Sequence, residues 1–342
     1  MKKMQFAVCK ILPVIGFAAA AFLAGCGDDS STSDPGTQEP STPGAEADAG
    51  SSASAAEPGT GGESGSLISA TLTTERTLDV VADSNGFFDV ADIYKAAPSD
   101  YKIAFVLRHA ERESGLGQES PLTEVGEQQA FDLGARMGGD EAFYYASTDF
   151  IRTRETCNNI AKGRGETGNE VVTWDGLNGT YFLKISSDSL DVFAKQKGGS
   201  WKIIAVYAYG EDYYADEIQP LFYDFYERGQ QFVMENIVAN MPQWKRVSVL
   251  VTHDLLIEPL VVYASNRTVD VNFYTSKRWV NYLTGIAVVI NTNNQVELYP
   301  VRGVDVGFMT QSKTNPNATR PAATITESSS STEPESSTET AE

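Results

Sequence analysis

Two continuous apolar runs organise the hydrophobic pattern of this chain, and both end on histidine. Ile103-Ala104-Phe105-Val106-Leu107 stops at Arg108-His109, and Val247-Ser248-Val249-Leu250-Val251 stops at Thr252-His253-Asp254. Runs of this length without helical spacing predict strands buried on both faces. Between them, Thr123 is positioned to cap a helix whose stripe runs through Val125, Ala130, Leu133 and Met137, and which Gly138-Gly139 ends. Residues 142–146 read as a further strand. Ser147-Thr148-Asp149 is expected to cap a helix beginning near Phe150, and 170–174 to form a third strand. Trp201 to Tyr207 reads as a strand, and 215–240 as mostly helical, with Phe222, Phe225, Phe232, Val233 and Ile237 apolar. A helix through Leu255-Leu256-Ile257, with Pro259 in its first turn, follows His253. Tyr282–Ile290 and Gln295–Tyr299, separated by Asn291-Thr292-Asn293-Asn294, form a hairpin pattern. Residues 67–100 are weakly patterned, with an edge strand and a short helix around 89–94. Strands alternating with helices predict a three-layer α/β/α sandwich with a mostly parallel sheet.

The chain ends have a different character. Residues 1–26 begin with Met1-Lys2-Lys3, carry an apolar stretch from Ile11 to Leu23, and close on Leu23-Ala24-Gly25-Cys26. The apolar stretch is short for a bilayer span and fits a signal peptide. Its end resembles a bacterial lipobox, which implies cleavage before Cys26, lipidation of that thiol, and a cell-envelope protein anchored to a bacterial membrane and facing the periplasm or exterior. An ordinary signal peptide cut near small residues is the alternative, and the choice of membrane stays open. Residues 27–66 hold Ser, Gly, Pro and acids but no Lys or Arg, so they are expected to be a disordered tether with a reach of roughly 35 Å. Residues 312–342, rich in Ser, Thr and Glu, are expected to be a disordered tail. One domain is thus expected over 67–311.

Charge and cysteine use narrow the function. The formal net charge is −20, and no basic run interrupts it, which argues against a nucleic-acid partner. Any anionic substrate must therefore be held by a local cationic cluster against the global field. Of the three cysteines, Cys9 and Cys26 belong to the signal segment, leaving Cys157 as a packed small hydrophobe with no partner for a disulfide. Two histidines and one cysteine fall short of a zinc set, and no metal or cofactor is expected. The candidate chemistry lies at the strand exits, where ligands of open α/β sheets usually bind. Arg108, His109 and Arg112 leave one strand, and His253 and Asp254 leave the other. Arg152 and Arg154 lie at the start of the helix that follows 142–146; both suit a solvated helix face, but Arg152, one turn in, could instead point back to the strand exit, where an added guanidinium strengthens an anion site.

In this order and spacing the motifs resemble those of the histidine phosphatase superfamily, which includes histidine acid phosphatases and phosphoglycerate mutases. Arg108-His109-Ala110-Glu111-Arg112 resembles its Arg-His-Gly core, and Leu122-Thr123, Gly126 and Gln129-Ala130 resemble its "LTxxGxxQA" helix. Ser147 to Thr153 resembles the segment carrying a further arginine, and Thr252-His253-Asp254 the segment carrying the second histidine. Ala110 stands where glycine is usual, as in the small phosphohistidine-phosphatase-like branch. Arg112 and the His253-Asp254 pair look more like the acid phosphatase branch, which expects proline where Ser114 stands. The Ser/Thr-Asn pattern of the mutases is absent. The resemblance implies a phosphoglycerate mutase-like fold and hydrolysis of phosphomonoesters without a metal. His109 would attack phosphorus to give a phosphohistidine, Arg108, Arg112, Arg152 and His253 would surround the phosphoryl group, and Asp254 would be the proton donor. A carboxylate from the middle of the chain is the alternative donor. The implied substrate is a phosphorylated small molecule or a phosphoprotein, including protein phosphohistidine. A non-catalytic surface binding protein on the same scaffold is the alternative from another class.

Overall fold

The computed structural model describes residues 70–113, 116–210, 215–271 and 279–304. Cys26, the expected signal segment, the tether, the tail and Ser114 lie outside these residues. In chain order the elements are β1 (Thr71–Leu72), β2 (Phe88–Asp89), α1 (Val90–Ala96), β3 (Lys102–Arg108), α2 (Glu124–Arg136), β4 (Tyr144–Ser147), α3 (Ile151–Gly163) and β5 (Val171–Thr173). They continue with α4 (Ser187–Ala194), α5 (Ser200–Tyr209), α6 (Ala215–Ile218), α7 (Phe225–Gln231), β6 (Val247–Thr252), α8 (Asp254–Ala264), β7 (Thr284–Ile290) and β8 (Gln295–Arg302). The helical path of α7 runs on as a π-helical segment from Phe232 to Val238.

The sheet runs β1-β8-β7-β3-β6-β4-β5, with β2 also on β8. β3, β6, β4 and β5 pair in parallel, and β7 is antiparallel to both β3 and β8. The two apolar runs thus form adjacent central strands. Because side chains alternate across a strand, each run feeds two cores. Ala104, Val106 and Leu250 pack with Ile203, Ile257 and Leu260 of α5 and α8 on one face. Ile103, Phe105, Leu107 and Val249 pack with Leu133, Cys157 and Ile160 of α2 and α3 on the other. These are the three layers of an α/β/α sandwich. In the β3–β6 register Arg108 stands opposite Thr252, so the next residues, His109 and His253, leave the same sheet edge.

Three local expectations are corrected. Trp201 to Tyr207 lies in α5, a helix, not a strand. Gly199 at positive φ precedes this helix, and left-handed Gly210 closes it, its N–H donating to Tyr207 and Val206 carbonyls. An apolar run buried on most sides has no period that separates helix from strand. Pro259 sits in the interior of α8, not its first turn, because the helix already starts at Asp254. The α3 cap position is Phe150, which makes no side-chain capping bond; the Thr148 hydroxyl is engaged elsewhere, as shown below. Thr123 does cap α2, its Oγ1 accepting from Gly126 N.

α2 and α3 approach through glycine. A Cβ on Gly134 would lie 2.0 Å from the Ile160 carbonyl oxygen, and one on Gly163 equally close to that of Phe131. Alanine at 134 would gain about 1 kcal/mol of helix propensity. The overlap is with backbone, which cannot rotate aside, and overpacking typically costs about 1–3 kcal/mol or more. Gly134→Ala is therefore expected to lower the melting temperature, measured by circular dichroism; a higher value would contradict this close approach.

Candidate active site

His109 continues the β3–β6 pairing by one bond, its N–H donating to the Thr252 carbonyl at 3.0 Å. The next residue is pinned from α3, with Ala110 N–H donating to Thr156 Oγ1 at 3.0 Å. The His109 ring is buried, and its Nδ1 lies 2.7 Å from the Ala110 carbonyl oxygen. A carbonyl only accepts, so Nδ1 carries the proton and Nε2 presents its lone pair. The Arg152 Nε–H donates to that Nε2 at 3.2 Å. The Ala110 methyl is buried in the core, so alanine fits where the related motif has glycine.

Arg152 joins the two strand exits. Its Nη1 donates to the Gly117 carbonyl at 2.9 Å, its Nη2 lies 3.4 Å from His253 Nδ1, and its guanidinium stacks 4.4 Å from the Phe150 ring centroid. Guanidinium groups only donate, so His253 Nδ1 is the acceptor and its Nε2–H points the other way. There Thr148 Oγ1 lies 3.0 Å off and in turn contacts Thr153 Oγ1 at 2.9 Å, which donates to the Phe150 carbonyl. Thr148 therefore fixes the tautomer of His253 instead of capping α3. The two histidine ring centroids are 5.6 Å apart, and Phe150 meets His253 edge-on at 4.4 Å. Gly179 presses on His253 from the segment after β5, where a Cβ would stand 3.4 Å from its Cβ and Cδ2.

Electrostatics hold both rings neutral. Burial, then the Arg152 and Arg108 charges, depress His109 well below its ordinary range, and the same causes with Arg112 depress His253. Two neutral imidazoles among arginines form a local cationic pocket in an otherwise acidic protein.

The other residues singled out from sequence take different stations. Arg108 is fully buried, with Nη1 donating to the Val280 carbonyl at 2.8 Å and Nη2 3.0 Å from Asp254 Oδ2. Its guanidinium lies 4.3 Å from the Tyr282 ring centroid, a ring that also flanks His109 at 5.9 Å. Asp254 Oδ1 accepts from Leu255 N–H, so both its oxygens have contacts. Arg112 donates to the Glu113 carbonyl and to Ser120 Oγ, and acts on His253 through its charge. Arg154 is exposed and donates to Thr173 Oγ1. His109, Arg152 and His253 thus touch one another, Arg108 pairs with Asp254, and Arg112 is held by Glu113 and Ser120. Cys157 is buried against the Ala146 carbonyl, and burial pushes its thiol up to well beyond its ordinary range. Among the described residues no three His, Cys, Asp or Glu side chains group as metal ligands. Thr148, Phe150, Gly179 and Tyr282 were not expected at the site; Thr148 and Phe150 lay within the motif of the further arginine, but the Thr148 hydroxyl suited a cap equally well.

Thr148→Val removes the acceptor that selects the His253 tautomer and leaves a buried N–H unsatisfied, a loss of about 1–3 kcal/mol for the ring's arrangement. The expected result is His253 exchanging between tautomers, visible by 15N NMR of the ring. An unchanged ring spectrum would show that Thr148 does not set it.

Paired strand-end histidines bridged by an arginine, on the parallel edge of an α/β/α sandwich, define the structural class. The family model of the histidine phosphatase superfamily (branch 1) matches residues 104–289, just over half the chain. The chain belongs to the histidine phosphatase superfamily. Among solved structures, phosphoglycerate mutase from Bacillus anthracis is 21% identical at TM-score 0.40, covering 59% of this chain and 93% of its own. A mycobacterial glucosyl-3-phosphoglycerate phosphatase is 17% identical at TM-score 0.38, covering 60% and 100%. The alpha-ribazole phosphatase from Shigella flexneri is 17% identical at TM-score 0.36, with 60% and 100% covered. No curated protein matches the chain.

Proposed function

We propose that this chain is a phosphomonoesterase that works through a phosphohistidine on His109, carried outside the cytoplasm by a lipidated Cys26. The observation that carries the reading is the His109 ring itself. Its Nδ1–H is tied to the Ala110 carbonyl, and its Nε2 lone pair faces the Arg152 guanidinium. A phosphoryl dianion that displaces the Arg152 Nε contact would meet a neutral nucleophile with its donors already arranged. Nε2 attacks phosphorus, the leaving oxygen takes a proton from Asp254, and water then cleaves the P–N bond. Arg152, Arg108 and Arg112 supply the fixed positive field that such a loose transition state needs, and the neutral His253 ring stands beside them. The substrate is a phosphorylated small molecule or a phosphoprotein, and the segments that would choose between them are 113–120 and 175–245.

Hydrolysis of a generic aryl phosphate by the folded protein, with EDTA present, tests the reading. Turnover supports it. A folded but inactive protein across the mildly acidic to neutral range would favour the non-catalytic binding protein. Palmitate labelling tests the anchor separately: label that persists in Cys26→Ser would overturn it.

A further inference from the structure

Glu258 has no place in the mechanism so far, yet it is the oddest residue in the core. It stands in α8 between Ile257 and Pro259, and it is 0% exposed. Neither carboxyl oxygen has a hydrogen-bond partner among the described residues. A buried ionised carboxylate in that state would be prohibitively costly, so the group must be neutral or share its charge. Asp254 precedes it by one helical turn, a spacing that places two side chains side by side on one face. Asp254 in turn touches Arg108. The buried Thr284 Oγ1, one step beyond the paired Leu107–Gly285 position of β3 and β7, is likewise unpartnered.

We propose that Glu258 is a positioning residue that shares one proton with Asp254, so that Asp254 can serve as proton donor while standing beside Arg108. This rests on the phosphatase reading with Asp254 as donor. Beside a guanidinium alone, a carboxyl favours its ionised form and makes a poor acid. With Glu258 one helical turn on, two buried carboxyls lie within the field of one guanidinium. A single proton between them leaves the buried group electrically balanced, as when two close carboxyls titrate as a pair. The charged groups that act on Glu258 are Asp254 from its own helix and Arg108 from β3. Burial first, and Asp254 next, hold its carboxyl well above the ordinary range, with Arg108 opposing.

The steps balance. As His109 Nε2 attacks, the P–O bond breaks and its electron pair goes to the leaving oxygen, which takes the shared proton and departs as an alcohol. Water then attacks phosphorus, the P–N pair returns to Nε2, and the water's proton restores the Asp254–Glu258 pair.

Infrared spectroscopy of the full chain, paired with steady-state kinetics on alkyl and aryl phosphates, tests this. The wild type is expected to show a protonated-carboxyl band above neutral pH that Glu258→Gln removes. The same variant is expected to lose about tenfold or more on alkyl phosphates, toward the 10²–10⁴ range of general acid catalysis, while aryl phosphate turnover stays nearly unchanged. Glu258→Met guards against misfolding, since apolar replacement of a buried charged group is often neutral or stabilising, and it should show the same alkyl-selective loss. Absence of the wild-type band, or alkyl turnover by Glu258→Gln equal to wild type, would overturn the proposal. A wild type inactive on both esters would instead overturn the phosphatase reading, and the catalytic half of the proposal with it. The band alone would still decide whether Glu258 carries a proton.

Discussion

His109→Ala is expected to lower kcat by about 10⁴ or more, the scale seen when a covalent nucleophile is removed. No neighbour can take its place. The chain's only other histidine, His253, turns its Nδ1 lone pair to Arg152 and its Nε2–H to Thr148. The loss should not be one of folding, because the ring's main bond is to its own neighbour's carbonyl and the strand pairing through His109 N–H survives. The pH profile adds a second check. Burial and the arginines hold His109 well below 6.5, so it stays an unprotonated nucleophile as pH falls through that value. The acid limb of wild-type kcat/KM from this group should therefore fall below pH 6.5. Stability moves the other way. The unfolded chain binds protons at the histidines that the folded protein refuses, so stability declines as pH drops below about 6.5.

Asp254→Asn should cost about 10²–10⁴ on alkyl phosphates and far less on aryl phosphates, whose leaving oxygen hardly needs a proton. Asparagine keeps the shape and an acceptor for Leu255 N–H, but it removes the charge beside Arg108. Stripping one partner from a buried ion pair can cost about 3–5 kcal/mol of stability. With the two carboxyls sharing one proton as proposed, Glu258 would ionise in its stead in the field of Arg108, which should soften the loss. Measuring kcat for both ester types on the folded variant separates the roles. A leaving-group-dependent loss assigns Asp254 as donor. Equal losses would mean that Asp254 serves only to hold Arg108, and that the donor lies elsewhere.

Much of this geometry was legible in the chain. Ile103–Leu107 and Val247–Val251 read as buried strands, and a shared strand end for Arg108, His109 and His253 follows once β3 and β6 are neighbours. Thr123 announced α2 because a capping hydroxyl is a local signal. Other features were not local. Trp201–Tyr207 lacks a period because α5 is buried on most sides. Thr148 gave the same signal for a cap as for a histidine partner, and only the three-dimensional approach of His253 decides between them. Glu258 is one charged residue in an apolar helix, and the charge it feels from Arg108 depends on β3, 150 positions away in the chain. Among the described residues between 175 and 245, helices meet through aromatic packing, such as Tyr207 on Phe222 at 4.1 Å, which no spacing rule foretells.

The central claim is a covalent phosphohistidine at His109, and rapid quenching tests it most directly. Wild-type protein mixed with labelled aryl phosphate, stopped in denaturant at alkaline pH and digested, should yield a peptide containing His109 whose phosphoryl group is lost in acid and kept in base. His109→Ala should yield none. Turnover of the aryl ester without any such peptide, or a phosphoryl group on another residue, would contradict the account.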